Sequence, residues 1–244
     1  MRLTVLGCHG PVPGPGGACS GYLLESGDTR LVCDLGSGTL SRLMALRPLD
    51  ALSGIVLSHL HFDHCSDVPV LRYALEILQK QGRPDGRLPL YAPKTPESVF
   101  GLFSEEAFAL HEIRPGMTAR IGAFTLTFHP VRHPVEAYAV TAVDPAGRRL
   151  FYTGDTGWFD GLPELARGAD VILADTAFLK EPDTGATRPH MTIAQAARLA
   201  REAHAGRLLC THLPGMGNSD EIQGKDIDFV PATVVQELGC YEFS

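Results

Sequence analysis

The sequence lacks the features of membrane-spanning, secreted and disulfide-linked proteins. No stretch approaches the ~18 consecutive apolar residues of a membrane helix, and the apolar start after Met1 is broken too soon for a signal peptide. The six cysteines form no CxxC pair and are scattered, several within apolar runs, which is typical of buried thiols in a reducing compartment. We therefore expect a cytoplasmic protein without disulfides and without a membrane partner.

Positive charge is also scarce. Lys and Arg number 21 against 28 Asp and Glu, which gives a net charge of −7 and a pI near 5.8. A protein that holds a nucleic-acid backbone usually presents a basic stripe, and the nearest candidate is the pair Arg148-Arg149 in a predicted turn. The charge balance argues against a large polyanion as the partner.

Length and hydrophobic pattern favour a single α/β domain over residues 1–244. The chain is 44% hydrophobic and shows neither a low-complexity linker nor a repeat. Strand-like runs fall into two groups that are accompanied by helical segments. This arrangement predicts an αββα sandwich, in which two mixed β-sheets pack face to face with helices outside. The predicted strands are 2–6, 19–25, 30–34, 54–57, 124–131, 137–143, 150–153, 170–174 and 207–211, and the predicted helices are 39–46, 68–81, 192–204 and a stretch between 96 and 111.

The strongest chemical signal is the string SHLHFDH at residues 58–64, between an apolar run and a predicted helix. Its ligand-type residues are His59, His61, Asp63 and His64. Imidazole nitrogen and carboxylate oxygen both suit zinc and related divalent ions. A chance HxHxDH in such a chain has a probability on the order of one in a thousand, so the string predicts a metal site.

More ligand-type residues follow apolar strand-like runs elsewhere in the chain. These residues are His133, Asp155 and His212, and strand ends present side chains on a rigid base. One cluster holds at most one metal well, so these three are candidates for the remaining ligands. Asp34, at the end of run 30–34, could support a ligand histidine through a hydrogen bond or could serve as a turn or cap residue.

This ordered set resembles the metallo-β-lactamase superfamily over nearly the whole chain. The matching strings are HLHFDH at 59–64, His133, GDT at 154–156 and THL at 211–213. The resemblance implies two divalent ions per chain, with zinc as the default and manganese or iron as alternatives. It assigns His59, His61 and His133 to the first ion, Asp63, His64 and His212 to the second, and Asp155 to both. An Asp at the bridge, where many true β-lactamases have Cys, argues against antibiotic hydrolysis.

A further histidine points to one branch of that family. His190 precedes the predicted helix 192–204 and resembles the extra histidine of the ribonuclease Z branch, which contacts the scissile phosphate and assists the leaving group. Met191 departs from the small residue that the family usually has there. An imidazole near a developing alkoxide is useful for acid catalysis, and Asp63 can orient the attacking hydroxide. Asp63 and His190 are therefore the predicted catalytic residues.

The spacing of the motifs restricts the class of substrate that we expect. His133 and Asp155 are only 22 positions apart, which leaves no room for the tRNA-binding arm that many ribonuclease Z enzymes insert there. The chain thus resembles short, armless relatives of that enzyme, and we do not expect tRNA as a partner. The predicted activity is hydrolysis of a small or cyclic phosphodiester by a hydroxide held between two metal ions.

Other hypotheses stay open. Ribonuclease Z-type RNA processing is one, and hydrolysis of a lactone or thioester, which would make little use of His190, is another. A non-catalytic ligand-binding protein is the third, although the complete ligand set counts against it. The resemblance also implies a homodimer, and it places the Gly/Pro-rich loop that contains His9 near the cleft.

Overall fold

The computed structural model describes residues 1–82, 86–103, 105–178, 188–216, 227–229 and 231–243. Over these residues the chain forms two seven-stranded sheets that pack face to face, with helices on their outer faces. The predicted αββα sandwich is confirmed. No helix in the described ranges is long and apolar enough to cross a membrane.

The strands and helices have the following bounds. In spatial order the first sheet comprises β16 (Cys240–Glu242), β1 (Arg2–Gly7), β3 (Gly21–Ser26), β4 (Thr29–Leu35), β5 (Gly54–Val56), β6 (Leu88–Ala92) and β7 (Phe108–Glu112). The second comprises β15 (Ala232–Val234), β13 (Arg207–Thr211), β12 (Val171–Asp175), β11 (Arg149–Tyr152), β10 (Tyr138–Val143), β9 (Phe124–Pro130) and β8 (Thr118–Ile121). A separate short pair consists of β2 (His9–Gly10) and β14 (Leu213–Pro214). The helices are α1 (Thr39–Leu46), α2 (Phe62–Cys65), α3 (Val68–Lys80), α4 (Glu97–Phe100), α5 (Leu162–Leu165) and α6 (Ile193–Glu202), with a 3₁₀ turn at Leu49–Ala51.

Each sheet is antiparallel in one half and parallel in the other. In the first sheet β16, β1, β3 and β4 pair antiparallel, and β4 to β7 pair parallel. In the second sheet β8 to β11 pair antiparallel, and β11, β12, β13 and β15 pair parallel. Parallel strands bring their carboxyl ends to one edge of a sheet, which is where α/β folds bind ligands. Loops that leave these strands can therefore meet at a common site.

Side-chain alternation along the strands builds three apolar layers. On β12, Val171 and Leu173 face the layer between the two sheets, whereas Ile172 and Ala174 face the layer beneath α5 and α6. This is the period of two expected of a strand that is buried on both faces. Burial of each large apolar side chain stabilises the fold by roughly 1.5–3 kcal/mol. Because the central strands are buried on both faces, the loops that follow them start from fixed positions.

Helix α6 begins where the sequence predicts. Thr192 Oγ1 accepts a hydrogen bond from Gln195 N at 3.2 Å, and Gln195 Oε1 accepts one from Thr192 N at 3.0 Å. This capping box satisfies two of the backbone N–H groups that a helix N-terminus leaves unpaired. It also fixes the position of the residues just before the helix, which include His190.

The predicted helical stretch between residues 96 and 111 is wrong in its second half. Among the described residues of that stretch only the four of α4 are helical, and Phe108–Glu112 is strand β7, which pairs parallel with β6. Short apolar runs do not reveal by their periodicity whether they are helix or strand. The pairing of β7 depends on β6, which the sequence analysis did not identify either.

Candidate metal centre

All seven predicted ligand residues converge on one site. His59, His61, Asp63 and His64 lie in the segment after β5, and the other three lie after strands of the second sheet. Their ligand atoms form two groups, each with all atoms within 4.8 Å of one another. The first group is His59, His61, His133 and Asp155, and the second is Asp63, His64, Asp155 and His212. Asp155 belongs to both groups, as the resemblance implies for a bridging carboxylate.

In the first group, three imidazole nitrogens lie close to one another. His61 Nδ1 lies 3.0 Å from His59 Nε2 and 3.1 Å from His133 Nε2. Burial lowers the pKa of His59 well below its usual range and lowers the pKa of His133 to about 4. These rings are therefore neutral at pH 7, and neutral imidazole is the form that binds a metal.

Hydrogen bonds to the opposite ring nitrogens select the metal-binding tautomers. His133 Nδ1 donates to the carbonyl oxygen of Pro189 at 3.1 Å, and His59 Nδ1 lies 3.1 Å from Ser58 Oγ. The Nδ1–H of a ligand histidine commonly makes such a bond, which leaves the Nε2 lone pair for the metal. In both residues the Nε2 atom faces the centre.

The second group is an array of ion pairs around two carboxylates. Asp155 Oδ2 lies 3.2 Å from His212 Nε2 and 3.3 Å from His64 Nε2, and Asp63 Oδ2 lies 3.3 Å from His212 Nε2. Burial alone would lower the pKa of His64, but the carboxylates of Asp155 and Asp34 raise it to about 10. Burial would raise the pKa of Asp155, but His212 and His64 hold it well below its usual range. The raised pKa values of His64 and His212 place protonated imidazoles beside the two carboxylates in the metal-free protein, and a bound cation would take the place of those protons.

The donor set fits divalent metal ions. Among the described residues, buried Asp155 Oδ1 has no hydrogen-bond partner, although buried polar atoms are normally hydrogen-bonded. Ion binding would give this atom a partner. Nitrogen and oxygen donors in this mixture suit zinc, and also manganese or iron.

Asp34 supports the second group from behind. Its buried carboxylate accepts hydrogen bonds from His64 Nδ1 at 2.8 Å, from Tyr152 OH at 2.6 Å and from the backbone N of Ser58 at 2.7 Å. The bond to Nδ1 leaves His64 Nε2 for the centre. Asp34 also has a φ of 58°, a backbone conformation that non-glycine residues adopt rarely and often at functional sites. The geometry favours the supporting role over that of a turn or cap residue.

His190 lies at the rim of the centre and is held by a buried carboxylate that the sequence analysis missed. Its Nδ1 donates to Asp175 Oδ2 at 2.8 Å, its ring stacks on that of His212 at 5.0 Å, and its Nδ1 lies 3.8 Å from Asp155 Oδ2. Asp175 stands at the end of β12 and also accepts a bond from Thr156 N at 3.1 Å. The signal that could have identified it is the one used for the ligands, since it directly follows the predicted strand 170–174.

The loop that contains His9 packs against the second group. Strands β2 and β14 pair parallel and place Gly10 beside the segment that follows His212. A Cβ at position 10 would overlap the imidazole of His212, so only glycine fits. His9 itself lies 3.2 Å from Glu237 Oε1 and belongs to neither ligand group.

Comparisons with known proteins agree with this geometry. The chain matches the family described as "Beta-lactamase superfamily domain" over residues 29–213. It is 34% identical over 227 residues to "Probable metallo-hydrolase YhfI" of Bacillus subtilis (strain 168), with 91% of each chain covered. The crystal structure of YhfI superposes with a TM-score of 0.83 and covers 90% of this chain and 89% of that chain.

Two further matches are more distant. A ribonuclease Z of Bradyrhizobium sp. (strain ORS 278) is 28% identical over 292 residues, with 96% of each chain covered. A diphosphatase from the PhnP family has a TM-score of 0.78 at 19% identity and covers 100% of this chain and 98% of that chain. At that identity the second comparison shows the shared fold.

Proposed function

Because the chain belongs to the β-lactamase superfamily and is similar to a metallo-hydrolase along nearly its whole length, we propose that it hydrolyses a small or cyclic phosphodiester at a dinuclear metal centre. The observation that carries the proposal is the position of His190 at the rim of the two ligand groups. A thioester hydrolase would have little use for a proton donor there, because a thiolate leaves without one, whereas the leaving alkoxide of a phosphodiester needs a proton.

The proposed ligand assignment follows the two groups. One ion would be held by His59, His61 and His133, the other by Asp63, His64 and His212, and Asp155 is available to both because it belongs to both groups. When bound, two such ions supply a nucleophile at neutral pH and offset the charge on the attacking and leaving oxygens. We propose zinc as the native metal, with manganese and iron as the alternatives.

The chain's own residues divide the proton transfers. The Asp63 carboxylate, at the edge of the second group, orients the attacking water. His190 uses its Nδ1 for Asp175, so its Nε2 is the atom that donates a proton to the leaving oxygen. The bond to Asp175 fixes the orientation of the ring, with Nε2 left free of that contact.

The interval between His133 and Asp155 supports a small substrate. It is filled by β10 and β11, which form an antiparallel hairpin with a turn at Asp144–Arg148, and every residue of the interval is described. This segment has no protruding arm, so we favour a small diester over tRNA. The ribonuclease Z relative and the diphosphatase of the same fold support a phosphate-containing substrate in general.

The test is a metal analysis combined with a panel of esters. The purified, metal-replete protein is assayed on bis-p-nitrophenyl phosphate and on 2′,3′- and 3′,5′-cyclic nucleotides. His190→Asn is compared with His204→Asn, a matched control at an exposed histidine that belongs to neither ligand group. We expect about two ions per chain and, in His190→Asn alone, a kcat on the cyclic nucleotides that falls roughly 10²–10⁴-fold. The fall on bis-p-nitrophenyl phosphate should be smaller, because p-nitrophenolate leaves without a proton.

Other outcomes would redirect the proposal. Two ions per chain with no diesterase activity would leave the metal centre in place and direct attention to lactones and thioesters. No bound metal after metal-replete purification would overturn the dinuclear centre itself.

We also propose that the chain pairs as a homodimer. Val70, Tyr73 and Ile77 lie on one face of α3 and are 54%, 57% and 55% exposed, and Phe62 near the start of this helix is 64% exposed. Contiguous exposed apolar side chains on a water-soluble fold mark interaction surfaces. We call Val70, Tyr73 and Ile77 the α3 face.

A further inference from the structure

Two arginines stand beside the proposed catalytic residues without an acidic partner. Arg132 directly precedes His133, and Arg188 lies two positions before His190. Within the described part of the chain, neither guanidinium forms a salt bridge or a hydrogen bond, and each instead lies over an aromatic ring. Unpaired arginines are notable in a chain with a net charge of −7.

The backbones of both arginines are fixed against Gly157, two residues after Asp155. Gly157 N donates to the carbonyl oxygen of Arg132 at 2.9 Å, and a Cβ at position 157 would overlap the carbonyl oxygen of Arg188. His133 Nδ1 bonds to the carbonyl oxygen of Pro189 at 3.1 Å. The backbone segments that carry Arg132 and Arg188 thus both contact Gly157, and the Arg188 segment is also hydrogen-bonded to His133 through Pro189.

The Arg188 side chain lies one aromatic ring away from His190. Its guanidinium carbon is 4.3 Å from the Phe178 ring centroid, and the Phe178 and His190 rings meet edge to face at 5.7 Å. Stacking on a ring orients a guanidinium but leaves its in-plane N–H groups available to an anion. The guanidinium carbon of Arg132 lies 5.4 Å from the Phe159 ring centroid.

A third stacked arginine shows what a purely structural role looks like. Arg198 lies 4.2 Å from the Trp158 ring centroid, but its Nε also donates to Glu202 Oε1 at 2.7 Å. Its charge is neutralised within α6. The charges of Arg132 and Arg188 are not neutralised in this way, although both residues lie beside a centre that must attract an anionic substrate.

We propose that Arg188, together with Arg132, binds a second anionic group of the substrate, a phosphomonoester, beside the scissile diester. Arginine binds phosphate in a bidentate, charge-assisted way, and a pre-oriented guanidinium loses little freedom when it does so. The inference rests on the proposed diesterase function and narrows its substrate class to nucleotide-like diesters that also carry a terminal phosphate.

The test uses two chromogenic esters that differ only in that phosphate. These are thymidine 5′-(p-nitrophenyl phosphate) and its 3′-phosphorylated counterpart, each assayed with the metal-replete protein. We expect kcat/KM to be about tenfold higher for the phosphorylated ester, as one charge-assisted contact allows, and this preference to weaken at high salt. Arg188→Gln should bring the ratio to within about threefold of one, Arg132→Gln should lower it, and Arg198→Gln should leave it at the wild-type value.

A binding experiment separates this inference from the proposed function. Thymidine 3′,5′-bisphosphate and thymidine 5′-monophosphate contain no diester, so calorimetry with the intact protein measures recognition without hydrolysis. Hydrolysis of both esters with equal kcat/KM would overturn the inference and leave the diesterase proposal standing. Hydrolysis of neither ester would count against the diesterase proposal. Tighter binding of the bisphosphate that is lost in Arg188→Gln would still support the inference, and equal binding of the two nucleotides would overturn it.

Discussion

At the residue scale, the buried carboxylate of Asp175 holds the partly exposed proton donor His190. Asp175 is fully buried, and its carboxylate accepts bonds from His190 Nδ1 and from the backbone N of Thr156 and Ala177. Its position is therefore fixed by the fold, whereas His190 remains partly exposed. Asp175 acts on the reaction through His190 and is a positioning residue.

The variant Asp175→Asn should lower kcat roughly 10–100-fold, because a neutral amide holds the His190 ring less firmly. The metal content should stay at the wild-type value, and KM should change less than kcat, because the contact positions the proton donor and does not bind substrate. Asp170→Asn is the matched control, since Asp170 precedes the same strand at its opposite, solvent-exposed end. Wild-type kcat in Asp175→Asn would show that the contact has no role in positioning.

The protonation state of the second ligand group sets how metal binding depends on pH. The carboxylates around His64 and His212 raise the pKa of both rings, that of His64 to about 10. Both rings are therefore protonated at pH 7 in the metal-free protein, and they must lose these protons before Nε2 can bind an ion.

We expect metal binding at pH 7 to release at least about one proton per chain, and metal affinity to fall as the pH falls. Zinc titrations by calorimetry in two buffers of different ionisation enthalpy measure the release directly. His64→Gln, which cannot carry the proton, should release fewer protons than the wild type. An apparent binding enthalpy that is the same in both buffers would contradict the raised pKa values.

At the element scale, the short pair β2 and β14 fixes the loop on which His212 lies. Gly10 on β2 pairs with Pro214 on β14, and the Cα of Gly10 lies against the His212 imidazole. His212 has a φ of 55°, so its backbone is held in an uncommon conformation by its surroundings. The loop is thus part of the wall of the metal centre.

Under the proposed two-ion assignment, Gly10→Ala should displace the His212 ring and lower the metal content by about one ion per chain, with most of the activity lost, because a Cβ at position 10 occupies the space of the imidazole. Gly14→Ala in the same loop is the control, since its Cβ would lie 3.2 Å from the carbonyl oxygen of Gly215 and needs only a small adjustment. Metal analysis and far-UV circular dichroism together distinguish loss of the site from loss of the fold. A Gly10→Ala protein with full metal content would show that the contact is not required.

The elements that the sequence reveals are those whose signals are local. Helix α6 carries its own capping box and apolar face. The ligand residues can be recognised in the sequence because they directly follow apolar runs. Strands β6 and β7 were missed because β6 contains Pro89 and β7 alternates weakly, so each is recognisable as a strand only through its pairing in the sheet, β6 with β5 and β7, and β7 with β6. Arg188 could not be singled out from the sequence either, because only the structure shows that its side chain has no acidic partner among the described residues.

At the scale of the whole molecule, the metal centre joins the two sheets. The segment after β5 of the first sheet supplies His59 to His64, and the second sheet supplies His133, Asp155 and His212. The sequence could predict the ligands and the sandwich together because the same apolar runs build the core and end at the ligands. It could not predict which outer surface meets another molecule, since exposure depends on how the helices pack.

The α3 face provides the last prediction. The α3 face lies on the outside of the first sheet, and each of its three side chains is more than half exposed. A second copy of the chain could bury these side chains against its own α3 face in a symmetric dimer. We expect the wild-type protein to sediment as a dimer and Tyr73→Glu to sediment as a monomer, because an unpaired carboxylate at the centre of such an interface should raise the dimer Kd roughly 100-fold or more. Met44→Glu is the matched control, since Met44 on α1 is 55% exposed and lies outside the α3 face. A monomeric wild-type protein at micromolar concentration, or dissociation caused equally by both variants, would rule out the α3 face as the dimer interface.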